Sequence, residues 1–365
     1  MHTSYKILGA GPAGITTAIN LRKKGYDVTI YEQKGGCGDR IKGNLQGIEN
    51  WSSPKTMNQR LDSMNIQPNF LLKPFYTTTF MNAERSVEAK SKKPWFYLIK
   101  RGAAQDSLDQ GLRRQAEDCG VEIKFNASAT IKDVDIVATG PNVGQLYAIE
   151  KTAIFDTNLN DMAVVLMGNQ FAHRGLSYIL VSDGYASLGS VNFGKFGNLE
   201  QCFNNTLKKF EQILGIEIKN YKAAGGVAGF SSSPILVENG KFYVGEAAGL
   251  QDAAFGFGNT MAMESGYILS QVIDKPSPEE SYKNAIKKRF GNHIKSSVVL
   301  RYLLDKMGKN NYNVLINMLK KEEDLRDFFK GFYSFPIIDR ILYPFINKSS
   351  MIAPDQHLVS SLLKE

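Results

Sequence analysis

The first turn of the chain constrains its fold more than any other segment. Tyr5-Lys6-Ile7-Leu8 reads as a short strand that runs straight into Gly9-Ala10-Gly11-Pro12-Ala13-Gly14, and Ile15 to Lys24 continues it as a helix. Gly25-Tyr26-Asp27 ends that helix, and Val28-Thr29-Ile30-Tyr31 forms a second strand closed by Glu32 and Gln33. Strand, G-x-G-x-x-G turn, helix and strand make a βαβ unit, so a parallel sheet is predicted here. Each glycine has a physical job: Gly9 permits the tight turn, Gly11 lets the backbone approach a phosphate, and Gly14 allows close helix packing. The helix start, with Pro12 and Ala13, offers oriented N–H groups and partial positive charge to an anion. Glu32, eighteen residues after Gly14, is placed to accept hydrogen bonds from ribose hydroxyls. A turn of this kind holds NAD or FAD equally well.

A second glycine-rich turn breaks that tie. Val244-Gly245-Glu246-Ala247-Ala248-Gly249 is followed by Gly256-Phe257-Gly258-Asn259-Thr260 and a helical run from Met261 to Val272. An NAD domain is usually one contiguous block, whereas FAD is long enough to need a second backbone approach to its ribityl chain and flavin ring. The helix that begins near Asn259 would place its positive end by the negative charge that a reduced flavin carries.

Between these motifs the signals alternate. Residues 43–95 lose the helical period and carry Trp51, Phe70, Phe75, Tyr76 and Phe80 with a run of threonines, which predicts strands and loops. Gln105 to Cys119 reads as an amphipathic helix, Val121 to Asn126 as a strand, and Val134 to Thr139 as a buried strand ending at Gly140-Pro141. From Ala163 to Phe196 alternation predicts antiparallel sheet, and beyond Pro276 Lys-rich amphipathic helices run to Ser350. The expected architecture is α/β: a Rossmann-like FAD-binding domain of the glutathione-reductase type, interrupted by an antiparallel β-sheet substrate domain and followed by a C-terminal helical region. Residues 1–45, 96–145 and 235–275 are assigned to the first, 46–95 and 146–234 to the second, and 276–365 to the third.

Composition excludes some classes. Cys37, Cys119 and Cys202 are too few and too scattered for a disulfide framework or a metal site, so no metal is expected. Met1 to Ser4 lead into the first strand without a secretory n-region and h-region, and no run reaches the roughly 18 apolar residues that a membrane span needs. A cytoplasmic protein is expected. The net charge of +8 accompanies no nucleic-acid motif, so no nucleic-acid partner is expected. Phe328, Phe329, Phe332, Tyr333, Phe335, Tyr343 and Phe345 stand among Lys330, Arg340 and Lys348, which suits either a helical cap that buries the aromatics or peripheral contact with an anionic membrane.

Taken in order, Gly9 to Gly14, Glu32, Arg101 ahead of the 106–120 helix, Ala138-Thr139-Gly140 and Gly245 to Gly249 resemble the FAD-dependent class that holds p-hydroxybenzoate hydroxylase and the geranylgeranyl reductases. The resemblance covers most of residues 1–275. It implies that Gly245 and Glu246 contact the ribityl and pyrophosphate region of FAD and that Gly256, Phe257, Gly258 and Asn259 sit by the flavin. It also implies that Arg101 and Arg40 reach the cofactor and that Thr139 and Gly140 close the strand end beside it. Gly35-Gly36-Cys37-Gly38 lies where geranylgeranyl reductases carry a Cys-Gly pair over the flavin, so Cys37 is a candidate to face the ring.

Departures from the family pattern bear on the reaction. Glu246 stands where the family usually has Asp, and Ala253 where it has a proline beside the flavin. The aromatic-x-x-Phe-Pro signature of the geranylgeranyl reductases has its nearest counterpart at Ser177 to Ser182, and the W-x-W-x-I-P motif of flavin halogenases is absent. There is no second G-x-G-x-x-G and no C-x-x-C, so NAD(P)H or a protein electron carrier must reduce the flavin from outside. The resemblance implies reduction of carbon–carbon double bonds in an apolar, isoprenoid or lipid-like substrate, with Tyr178, Tyr185, His173 and Cys37 of the right type to give a proton. A flavin hydroxylase using NAD(P)H and oxygen, and a flavin- or lipid-binding protein without turnover, remain the alternatives.

Overall fold

The structure is a computed structural model that describes residues 4–141, 146–194 and 197–346. Lys348 and the end of the expected helical region at Ser350 lie outside the described residues, as do Lys195 and Phe196.

Three sheets organise the described residues. The first takes its strands from three distant stretches: β1 (Ser4–Leu8) and β2 (Asp27–Tyr31), then β8 (Glu122–Lys124) and β9 (Ile136–Val137), then β15 (Val237–Glu238) and β16 (Lys241–Tyr243). Their order is β15-β16-β9-β1-β2-β8, parallel except between β15 and β16. That order puts the carboxyl ends of β1, β9 and β16 side by side, which is where a doubly wound sheet binds ligands. Helices α1 (Pro12–Lys23), α3 (Leu108–Asp118) and α5 (Asn259–Val272) pack about it. Ile7, Ile15, Ile19, Ile30, Ile136 and Leu269 form part of the continuous core between them.

The crossing of α1 and α5 is unusually close. A β-carbon on Gly266 of α5 would lie 2.4 Å from Thr17 Oγ1 and 2.5 Å from the Ala13 carbonyl, so only glycine fits there.

The second sheet has the order β14-β10-β13-β12-β11-β5-β6, with β5 (Thr77–Met81), β6 (Ser86–Lys90), β10 (Leu146–Asp156), β11 (Met162–Leu166), β12 (Leu176–Ser182), β13 (Tyr185–Phe193) and β14 (Lys222–Phe230). It is antiparallel except where β11 meets β5. One face is covered by α4 (Leu199–Leu214), whose Phe203 and Phe210 pack on Ile179, Val181 and Leu188. The alternate residues turn to the other face, toward the rest of the molecule. There Ser187 Oγ accepts from the Leu45 N–H at 2.8 Å, and the Tyr185 hydroxyl donates to the Gly43 carbonyl at 2.9 Å.

The third sheet, β3 (Leu45–Glu49), β7 (Phe96–Lys100) and β4 (Lys73–Phe75), stands between the other two. Residues 43–95 also hold a helix that their lack of period does not predict, α2 (Met57–Ser63). A local signal for it exists, because Thr56 and Gln59 form a reciprocal capping box. The described residues beyond Pro278 are mainly helical: α6 (Pro278–Met307), α7 (Asn313–Leu319), α8 (Leu325–Phe332) and α9 (Ile337–Leu342), then a short turn of helix at Tyr343–Phe345. Among the described residues no helix is long and apolar enough to cross a membrane.

Candidate functional site

The glycine turn sits at the carboxyl end of β1. Gly9 adopts φ +104, and a β-carbon there would lie 2.4 Å from the Ala138 carbonyl oxygen, so the turn is pressed against the end of β9. Gly14 is tighter still, with Gly9 O 2.1 Å from where a β-carbon would be. Gly11 differs: a β-carbon would meet nothing within 4 Å, and this residue caps α1 with no side-chain hydrogen bond. An open space in front of an uncapped helix start is a place for an anion. Glu32 stands beside it, accepting from the Ala10 N–H at 2.8 Å and from the Lys34 N–H at 2.9 Å, while Gln33 next to it is exposed. A carboxylate has about four acceptor sites, so Glu32 keeps lone pairs for other donors.

Gly245 brings the late motif to the same place. It adopts φ +61 and packs so that a β-carbon would be 2.7 Å from Ala13 Cβ, while its N–H donates to Ser265 Oγ at 2.8 Å. Glu246 accepts from the Gly229 N–H at 2.7 Å, with Arg40 Nη2 3.7 Å from its other oxygen. Burial raises its carboxyl above the ordinary range, against the pull of Arg40, the Gly229 N–H and Arg101. Arg40 also covers Gly140, where a β-carbon would lie 3.0 Å from Nη1; Thr139 beside it is exposed.

A second group forms at the start of α5. Arg101 makes a two-pronged contact with Asp109, at 2.8 and 2.9 Å, and donates through Nη1 to Asn259 Oδ1 at 2.7 Å and to Gln46 Oε1 at 3.2 Å. Asn259 donates in turn to Gln46 at 3.2 Å. The guanidinium is thus fixed in orientation as well as in charge. Gly258 caps α5 without a side-chain hydrogen bond, and its missing side chain leaves room for Gln251, whose amide donates to the Gly256 carbonyl at 2.9 Å. Gln46, Asp109 and Gln251 carry no motif of their own; only their pairing across the fold gives them a role.

The remaining candidates separate. Phe257 turns its ring onto Trp51, centroids 5.0 Å apart, and over Gly47, so any cofactor contact at this position falls to its backbone. The Cys37 thiol is fully buried in the core of the parallel sheet, and burial pushes its pKa up to about 12. Its carbonyl accepts from Gln110. Tyr178 stays on the inner face of the second sheet. Its ring lies across β13 at Gly189, where a β-carbon would be 2.6 Å from the ring, and its hydroxyl donates to Glu150. Burial raises both the phenol and the Glu150 carboxyl above their ordinary ranges.

The same inner face borders a small apolar pocket of about 20 Å³, roughly the space of one water molecule. Phe80, Val165 and Leu176 of the sheet, Leu304 and Leu315 of the helices, and the Ala254-Phe255 loop line it. That loop is the one leading from Gly249 to Gly258, and Asp252 holds it by accepting from the Ala254 and Phe255 N–H groups at 3.0 and 2.6 Å. The cavity and the uncapped start of α5 therefore share one short loop.

Comparison with known proteins agrees with this geometry. Residues 7–49 match the family of NAD(P)-binding Rossmann-like domains. A digeranylgeranylglycerophospholipid reductase of Methanosarcina acetivorans is 23% identical, with 88% of this chain and 90% of that protein aligned. In fold, a geranylgeranyl bacteriochlorophyll reductase-like protein from Thermoplasma acidophilum superposes with a TM-score of 0.71 at 16% identity, covering 98% of this chain and 99% of the other. A flavin-dependent brominase superposes with a TM-score of 0.65 at 17% identity, covering 94% and 99%. Over nearly its whole length the chain resembles the FAD-dependent oxidoreductases of the geranylgeranyl reductase type.

Proposed function

We propose that this protein is an FAD-dependent reductase that adds hydrogen across carbon–carbon double bonds of an isoprenoid or similarly apolar lipid. The observation that carries the reading is the closeness of two helix starts without side-chain caps, α1 and α5, with the loop that leads into α5 also lining a small apolar pocket. The N–H groups at the start of α1 would take the diphosphate in the space before Gly11, and Glu32 the ribose. Gly245, Glu246 and Arg40 would border the ribityl chain, and the start of α5, with Asn259 held by Arg101, would face the flavin. Bound and reduced, FAD supplies a hydride; its own electrons would come from NAD(P)H or a protein carrier.

The protein's part is to hold, orient and exclude water. Phe80, Val165, Leu176, Leu304 and Leu315 would offer an apolar chain a dry wall, and the Arg301 guanidinium that also lines the pocket is tied to Asp305 at 3.0 Å. Residues 46–95 and 146–234 would serve as the substrate side of the cleft, and 1–45, 96–145 and 235–275 as the cofactor side. For the proton, Tyr178 keeps its hydrogen in a half-buried pair with Glu150, whereas the Cys37 thiol is sealed in the core.

Anaerobic incubation of the reduced protein with a geranylgeranylated glycerolipid tests the reading. A product heavier by a pair of hydrogens for each double bond, with reoxidation of the flavin, is expected. Hydroxylated product with oxygen-dependent use of NAD(P)H would replace this reading with a hydroxylase, and a flavin that no substrate reoxidises would leave a binding protein.

A further inference from the structure

Helix α9, the last α-helix among the described residues, is inside out. At about 100° per residue, Ile337, Ile338 and Ile341 of α9 and Phe345 of the next turn fall on one side. That side faces outward, with the four residues 74%, 53%, 55% and 84% exposed. Asp339 takes the other side, 4% exposed and turned inward beside Ser296 of α6, where burial raises its carboxyl. A helix at a water-facing surface does the reverse, so this face is built for something other than water.

The charges around it identify the occupant. Between Tyr333 and Ile346 the only charged residues are Asp339 and Arg340, and with Asp339 inward only the exposed Arg340 remains outside. Lys295 of α6 adds a second cation, its ammonium 5.4 Å from the Phe335 ring centroid and 5.9 Å from that of Tyr343. A second copy of the chain would bring the same cations to the same rim. An anionic membrane surface instead offers hydrocarbon to the isoleucines and phosphate to the cations.

We propose that Ile337, Ile338, Ile341 and Phe345, flanked by Arg340 and Lys295, dock this protein on the surface of an anionic lipid bilayer. Phe329 of α8 and Tyr333 just after it do not take part, because both are buried against Trp51. The docking face is separate from the cofactor site, so it stands or falls independently of the reductase reading.

Flotation of the full chain with phosphatidylcholine vesicles, with and without phosphatidylglycerol, tests it. The unaltered protein is expected to float with the anionic vesicles and to be released by salt. Ile338→Asp with Ile341→Asp should weaken binding by about tenfold or more, since two half-inserted isoleucines are lost, with thermal stability and FAD binding unchanged. Arg340→Glu should abolish the preference for anionic lipid, and Phe345→Ser, at the most exposed position, repeats the test with a single change. The proposal is overturned if the unaltered protein ignores anionic vesicles, if these variants float like it, or if it is a dimer that the double variant converts to monomer.

Discussion

A β-carbon on Gly14 would collide with the Gly9 carbonyl, whereas one on Gly11 would point into open space, and the two neighbouring glycines should therefore fail in different ways. Gly14→Ala is expected to lower thermal stability, because backbone must move to admit it. Gly11 has φ −83 and ψ 178, which any residue adopts, so Gly11→Val should fold with an unchanged melting temperature and lose FAD. Thermal melts read alongside flavin titrations separate the two outcomes. Arg101→Lys removes the two-pronged grip on Asp109 while keeping the charge; FAD affinity should fall by about tenfold, the loss of a hydrogen bond or two to charged groups. At this scale the glycines, Glu32 and Arg101 were legible because motif and spacing name them. Gln46 and Asp109 were not, since side chains that meet across the fold leave no periodic trace in the chain.

Among the elements, α8 depends on its cap. Asp324 accepts from the N–H groups of Arg326 and Asp327 and reaches across to Ser91 and the Lys92 N–H. Burial pulls its carboxyl up, but the Lys92 N–H, the Ser91 hydroxyl and the two helix N–H groups outweigh that and hold it below 3.8. A carboxyl lowered on folding contributes stability that is present above its ordinary value and is lost as pH falls through the folded one. Asp324→Asn keeps a capping oxygen but loses the charge and the second acceptor, so it should cost about 1 kcal/mol near neutral pH, and the difference from the unaltered protein should shrink as acid is added below pH 3.8. Denaturant melts at a series of pH values measure it. Most helices and strands were readable from period and punctuation, including α5 and the long run of β12 and β13. The inverted face of α9 was harder, because the pattern of Ile337, Ile338 and Ile341 says which side is apolar and not which way that side turns.

For the molecule as a whole, Trp51 ties the cofactor side to the C-terminal helices. It stacks on Trp95 at 5.6 Å, meets Phe257 edge-on, and contacts Phe329 and Tyr333 of the helical region. Trp51→Ala should cost about 3–5 kcal/mol, read in denaturant melts, and loosen the 251–258 loop with it. The βαβ start announced a parallel sheet, but its strands come from three stretches some ninety to a hundred residues apart, and only the Val134–Thr139 strand and the late glycine motif hinted that the chain returns to it. The central claim is that this returned motif completes a flavin site. Titrating the purified protein with FAD and, separately, with NAD, then weighing the intact complex by native mass spectrometry, tests it most directly. One FAD per chain, held in preference to NAD and lost in Gly11→Val, is the expected result; a protein that retains NAD in its place, or no flavin at all, would contradict the account.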